Sequence, residues 1–273
     1  VLEFGVVAPV NDSIGDQSSD KASPDAGSLV EKGILTARAL DFLELCLASR
    51  LNLAISGPSR SGKRALLHSL VPYMAGDGQI LAVQNPDEPS LERPGITSLR
   101  AHLESEDGGP GISRHYLLSL VPKMHPMGLL LDRVEGAEAL ALIRLLLTMD
   151  GVMFSIVAES PADALLALES LARAHGEGAE PGLARRILST ALQLIVQLGA
   201  VRDGGTVVVS LTEVAEAEEG GRVLREIFAY RDPELPESGE AGPRELLRPT
   251  GVRPLFLDRI ETLGIPVPEH IFL

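Results

Sequence analysis

The chain has no tryptophan, a single cysteine, and only 3% aromatic residues in 273. That leaves almost no platform on which the bases of a single strand could stack. Basic residues are also scarce: 24 Lys and Arg stand against 38 Asp and Glu, a formal net charge of −14 at pH 7. Such a field repels a phosphate backbone unless a local basic patch offsets it, and no patch is visible, so direct nucleic-acid binding is not expected. The lone Cys46 excludes an intramolecular disulfide framework and a multi-cysteine zinc site, and reads as a small buried apolar residue in a reducing compartment. No apolar run approaches the roughly 18 to 20 residues of a membrane-spanning helix, and no basic-then-apolar secretory start is present. The expectation is a soluble, cytoplasmic protein. The histidines His68, His115, His125, His175 and His270 lack metal-ligand spacing and read as solvated or packed.

What the chain does have is apolar residues, 45% of the total, enough for one large α/β domain or two small ones. Residues 1–27 are too rich in small and acidic residues to bury the area that would offset ordering entropy, and read as a tail or a severed linker. From Thr36, an N-cap, Leu40, Leu43 and Leu47 fall on one helical face. Four apolar runs follow: LNLAIS from Leu51 to Ser56, QILAV to Val83, MGLLLD, and VMFSIVA. Helical segments follow the first, third and fourth, and Ser160, Pro161 and Asp163 form a capping pattern at the start of the last. Strands alternating with helices predict a mostly parallel sheet covered on both faces. Farther on, LQLIVQLGAVRDGGTVVVSLTEV predicts two strands around Asp203-Gly204-Gly205, an antiparallel edge to that sheet. Residues 215–245 read as an exposed strand and loop, and the C-terminal segment as a short helix with an apolar tail.

The most specific local signal is Gly57-Pro58-Ser59-Arg60-Ser61-Gly62-Lys63-Arg64, which matches the phosphate-loop pattern GxxxxGK[ST] at every fixed position but the last. A strand before it and a helix after it would converge backbone N–H groups on a phosphate, with Lys63 supplying a point charge. At position 64 the usual hydroxyl ligates magnesium, which a guanidinium cannot do. Two roles for Arg64 stay open: direct, metal-independent binding of an anion, or closure of an empty site by pairing with a local carboxylate.

Over about Ser28 to Leu273 the chain resembles the secretion ATPases of tight-adherence (Tad) pili, CpaF type, within the type II and type IV secretion motor ATPases. The segments that carry the resemblance are SLVEKGILTARALDFLELCLASRLNLAISGPSRSGK, VEGAEAL, SPADAL, LIVQLGAVRDGG, VVSLTEV and TGVRPLFLDRIETLGI, in the family's order. The resemblance implies a RecA-like phosphate-loop NTPase domain over 28–273, without the N-terminal domain that precedes it in the family. It also implies a homo- or hetero-oligomer, a hexameric ring with ATP or ADP between subunits. Docking would be to an inner-membrane platform protein, so that the chain lies at the inner membrane through its partners.

The family's chemistry does not carry over with the fold. Its acidic box falls on Val83-Gln84-Asn85, where amides replace both carboxylates and cannot activate water. The glutamate expected after the third apolar run is Arg133, and the histidine of the histidine box is Val157. Of an arginine-rich segment that reaches nucleotide, only Arg100 persists. Asp132 is a change in the opposite sense: it is a candidate for holding magnesium, or a polar strand end that pairs with Arg133 or Arg64. Asp87 and Glu88 are carboxylates in the loop after the altered acidic box that could substitute for it. The reading is a pseudo-ATPase, a motor-like subunit with a structural or regulatory role that joins an active homologous ATPase or the platform protein. The rival reading is a slow or unconventional ATPase that powers pilus assembly or secretion.

Overall fold

The computed structural model describes residues 25–74, 76, 78–89, 91, 93–102, 111–175, 182–201, 205–217, 221–231 and 247–272. Its elements in chain order are α1 (Ala26–Glu31), α2 (Ala37–Ala48), β1 (Leu53–Gly57), α3 (Lys63–Leu70), β2 (Ile80–Gln84), β3 (Ile96–Arg100), α4 (Arg114–Met124), β4 (Gly128–Val134), α5 (Glu138–Leu146), β5 (Val152–Val157), α6 (Pro161–His175), α7 (Leu183–Ala191), β6 (Leu194–Ala200), β7 (Thr206–Glu216), β8 (Arg222–Tyr230), β9 (Leu247–Pro249) and α8 (Leu257–Thr262). Short 3₁₀ turns lie at Val71–Tyr73 and Glu269–Ile271.

The strands form one sheet in the order β3-β2-β4-β5-β1-β6-β7-β8-β9. Pairings from β3 through β6 are parallel, and β6 to β9 add an antiparallel extension. This is the expected fold class. Successive residues of β1 show the alternation that covers both faces: Leu53 and Ile55 pack with α1, α2 and α3, while Ala54 packs with α4, α5, α6 and α7.

Local signals act where the sequence places them. Thr36 caps α2 by accepting from the Ala39 N–H at 3.4 Å, and Ser160 accepts from the Asp163 N–H at 3.1 Å. The scarce aromatics are concentrated. Phe42 of α2 lies 5.4, 6.1 and 5.8 Å, centroid to centroid, from Phe228, Phe256 and Phe272, which ties the C-terminal segment and β8 to the first helices.

Four expectations need correction. Leu99 and Arg100 belong to a parallel edge strand, β3, that its half-exposed residues did not announce. Helices α4 and α7 are also additional. Within 215–245, β8 is a half-buried interior strand rather than an exposed one, because Ile227, Phe228 and Ala229 face the core while Arg222, Val223 and Glu226 do not. Helix α1 begins at Ala26, inside the segment read as a tail. Residues 1–24, all of 232–246, and Asp203 and Gly204 of the expected hairpin turn lie outside the described residues.

Candidate functional site

Parallel strands all end on one edge of a sheet, and that edge collects the candidate residues. Gly57 closes β1, Gln84 closes β2, Arg100 closes β3, Asp132 and Arg133 lie at the end of β4, and Val157 closes β5. A crevice outside the carboxyl ends of parallel strands is where such sheets bind ligands.

The loop Gly57 to Arg64 runs from β1 into α3. Gly57 has no room for a side chain: a Cβ there would stand 2.7 Å from Ser61 Oγ and 2.9 Å from Leu198 Cβ. Gly62 takes φ 80° as the residue before α3, and Arg60 takes φ 62°. The first intrahelical acceptor is the Gly62 carbonyl, which receives the Leu66 N–H at 3.0 Å, so the preceding amides of the first turn have no partner inside the helix. Lys63, only 8% exposed, folds back on the loop and donates to the Gly57 and Pro58 carbonyls at 3.0 and 2.6 Å and to Ser61 Oγ at 3.4 Å. Burial lowers its pKa, while Asp132 and Glu159 oppose that shift. Pro58, Ser59 and Arg60 form the more open side of the loop.

Arg64 contacts the end of β4 and the loop after β2. Its Nε lies 3.4 Å from Asp132 Oδ2, and its Nη2 donates to the Pro89 carbonyl at 3.1 Å. Asp132 also accepts from Ser155 Oγ at 2.6 Å, and Ser155 Oγ in turn receives the Arg133 N–H at 2.8 Å. Of the partners open to Asp132, the structure places Arg64 rather than Arg133, whose side chain reaches Asp87 at 3.7 Å and Glu135 at 3.1 Å. Arg133 sits at φ 49°, where the β4 register to β5 shifts between Leu131 and Val134. Val157, at the histidine-box position, is exposed.

These residues do not fit a magnesium ion. The side chain that would supply a hydroxyl is a guanidinium, and the Asp132 carboxylate is engaged by that guanidinium and by Ser155. Among the described residues no group of three or more His, Cys, Asp or Glu is placed to hold a metal.

Gln84 has become a structural tie. It is buried, donates from Nε2 to the Pro89 carbonyl at 2.8 Å and accepts the Leu91 N–H on Oε1 at 3.4 Å. Arg100 adds a third hold on the same loop through the Pro86 carbonyl at 2.9 Å and the Glu88 carbonyl. Under this strap lies Glu88, 5% exposed, and neither carboxylate oxygen accepts a hydrogen bond of ordinary geometry from a described residue. Burial first, then Asp132, raises its pKa to about 7. Arg114, the Asn85 backbone N–H and Arg64 oppose the shift.

Sequence and structure comparisons converge on one group of proteins. No family model matches the chain. A putative conjugal transfer protein of Mycobacterium tuberculosis is 25% identical over 214 residues, covering 78% of this chain and 56% of the relative. The VirB11 protein of Agrobacterium tumefaciens is 26% identical over 166 residues, covering 59% of this chain and 48% of the relative. The chain thus spans about half the length of the curated relatives it matches. Among solved structures, the VirB11 ATPase of the Brucella suis type IV secretion system, in complex with sulphate, superposes with a TM-score of 0.55 at 20% identity, covering 67% of this chain and 55% of that one. The fold is that of a VirB11 ATPase. In sequence the chain is similar to VirB11, and in fold to the VirB11 ATPase of a type IV secretion system.

Sequence reasoning missed Arg114 and Ser155. Arg114 opens α4, is buried, and donates to the Asp132 and Arg133 carbonyls at 2.8 and 3.0 Å, fixing the end of β4 from behind. The capping Ser113 just before it was the available signal, as was Ser155 for its own role: a polar residue inside the otherwise apolar VMFSIVA.

Proposed function

We propose that the chain is a pseudo-ATPase subunit of a Tad or type IV pilus or secretion motor, which holds the phosphates of ATP or ADP on the loop from Gly57 to Arg64 and has a structural or regulatory role. The observation that carries this reading is the Arg64–Asp132 pair, a cation bound into the protein where the related enzymes need a hydroxyl and a metal. Phosphoryl transfer to water requires charge stabilisation and a group that orients the nucleophile acting together. Gln84 holds a loop, Arg133 is a cation, and Val157 is apolar, so none of the three positions supplies a base that could activate water. The sulphate complex of the Brucella VirB11 ATPase is in keeping with tetrahedral-anion binding in this fold. Among the described residues no helix is long and apolar enough to cross a membrane, which suits a subunit that reaches the inner membrane through a platform protein or an active homologous ATPase in a mixed ring.

The test is Mg-ATP hydrolysis and labelled-nucleotide binding by the purified chain, alone and with a complete homologue. Binding without steady turnover is expected. Steady turnover by the chain alone that Lys63→Ala abolishes would overturn the reading.

One observation favours a second reading, a slow or unconventional ATPase: the buried Glu88 carboxylate, within the field of Asp132, has proton-accepting capacity near neutrality and accepts no hydrogen bond of ordinary geometry from a described residue. Under that reading turnover disappears in Glu88→Gln while nucleotide binding persists. Turnover that survives the substitution rejects Glu88 as its source.

A further inference from the structure

We propose that the loop takes its polyphosphate as the metal-free anion, with the Arg64 guanidinium moving from Asp132 and Pro89 onto the terminal phosphates in place of a divalent cation. This inference rests on the nucleotide-binding reading above and specifies the form of the ligand.

Arg64 follows Lys63 in the first turn of α3, so its side chain starts from the place where a phosphate-loop hydroxyl would meet the metal. Its present hold is weak. The contact to Asp132 is a single Nε approach at 3.4 Å, the other bond is to the carbonyl of the exposed Pro89, and a third of the side chain is open to solvent. Partly exposed ion pairs of this kind stabilise by about 1 kcal/mol or less. A phosphate offers the same guanidinium two parallel charge-assisted hydrogen bonds, which are roughly twice as strong as neutral ones. The exchange therefore favours the ligand. Departure of Arg64 does not strand either acceptor: Asp132 keeps the Ser155 hydroxyl, and the Pro89 carbonyl keeps Gln84.

The charge of the loop itself agrees, since Gly57 to Arg64 holds three cations and no carboxylate. A triphosphate without its metal carries more negative charge than the complexed form, and the site meets it with Arg60, Lys63 and Arg64 on one loop and Arg133 at the end of β4. Gln84 and Asn85 bring no charge to oppose it. The carboxylates in this region are Asp132, which Arg64 gives up and the Ser155 hydroxyl still bonds, Glu88, buried under the strap, Glu159, whose field reaches Lys63, and Asp87 and Glu135, which pair with Arg133. A magnesium-bound nucleotide, in contrast, would set its metal against the Arg64 guanidinium.

Equilibrium titration of the full chain with fluorescent ATP, in EDTA and in excess magnesium, tests this. Wild type is expected to bind in EDTA at least as tightly as in magnesium. Arg64→Ser, which removes the cation and restores a hydroxyl, is expected to lose about 10-fold in EDTA and to recover on adding magnesium. Arg64→Lys keeps the charge without the fork and falls between the two. Circular dichroism confirms that each variant is folded. Binding by wild type only in magnesium, or an Arg64→Ser variant with undiminished affinity in EDTA, overturns the inference and leaves the nucleotide-binding reading standing. Absence of binding under both conditions overturns that reading and the inference with it.

Discussion

Arg64 and Gln84 donate to the same acceptor, the Pro89 carbonyl, at 3.1 and 2.8 Å. These are two of the positions at which the chain departs from the motor ATPases it resembles, one on the phosphate loop and one at the end of β2. Their meeting on one oxygen shows that the departures work together, tying down Pro89 next to the buried Glu88. The exchange of carboxylate for amide at position 84 is therefore a gain of structure, since only an amide can donate to Pro89 while accepting from Leu91.

Restoring an acid there should be costly. Gln84→Glu places a carboxylate oxygen against the Pro89 carbonyl in a buried position, losing a hydrogen bond and leaving two acceptors facing each other. The expected destabilisation is about 1–3 kcal/mol by urea denaturation, with no gain of hydrolysis. An unchanged midpoint would show that the strap does not depend on the amide.

Asn52, just before β1, makes a comparable tie with wider reach. Its Nδ2 donates to the carbonyls of Leu146, Met149 and Ala191, its Oδ1 accepts the Val152 N–H at 2.9 Å, and its own N–H meets Gln193 Oε1 at 2.8 Å. The side chain is 1% exposed, so no water can replace these partners. Asn52→Leu, similar in volume, is expected to cost about 3 kcal/mol, read as a lower melting temperature and urea midpoint.

Two buried groups near the phosphate loop give opposite dependences of stability on pH. Glu88 titrates at about 7 in the fold and near 4.5 unfolded, so between those values the native state holds the extra proton and stability falls as pH rises. His68, on α3, is pushed down to about 4 by burial and by Arg64 and Arg93, against Asp132; the unfolded chain holds the extra proton between about 4 and 6.5, and stability rises with pH there. In wild type the two slopes oppose each other from pH 4.5 to 6.5. Denaturation of Glu88→Gln across that window should show stability rising with pH, and that of His68→Gln should show it falling through pH 7. Parallel profiles in both variants would mean that neither group titrates as assigned.

The legibility of the fold follows the strength of local signals. The β1–loop–α3 unit was legible because an apolar run, a glycine pattern and a helix start stand in direct succession. So were the caps at Thr36 and Ser160. Strand β3 was not, because ITSLR is a half-exposed edge whose alternation is too short to register. Helices α4 and α7 follow the glycine-rich stretches EDGGPG and GEGAEPG, which mask a start. The candidate site was legible only along the chain. Glu88 could be named as a carboxylate after β2, but its burial is set by Gln84, Arg64 and Arg100 from three separate elements, and no local pattern encodes that meeting.

Arg133 offers a test of whether strain or charge governs the end of β4. At φ 49° a residue with a Cβ carries a backbone penalty of about 1–2 kcal/mol that glycine avoids. Glycine in turn gives up about 0.5–1 kcal/mol through the greater freedom of the unfolded chain. The ion pairs of Arg133 to Asp87 and Glu135 are half-exposed and contribute little. The balance predicts that Arg133→Gly is neutral to stabilising, by about 0.5 kcal/mol in urea denaturation. Arg133→Ala keeps the strain, loses the same ion pairs, and should be the less stable of the two. If instead both variants fall equally below wild type, the ion pairs outweigh the backbone at this position. The positive φ would then be held by the Ser155 hydroxyl and the Arg114 guanidinium, which bind the Arg133 N–H and carbonyl, at no net cost to the fold.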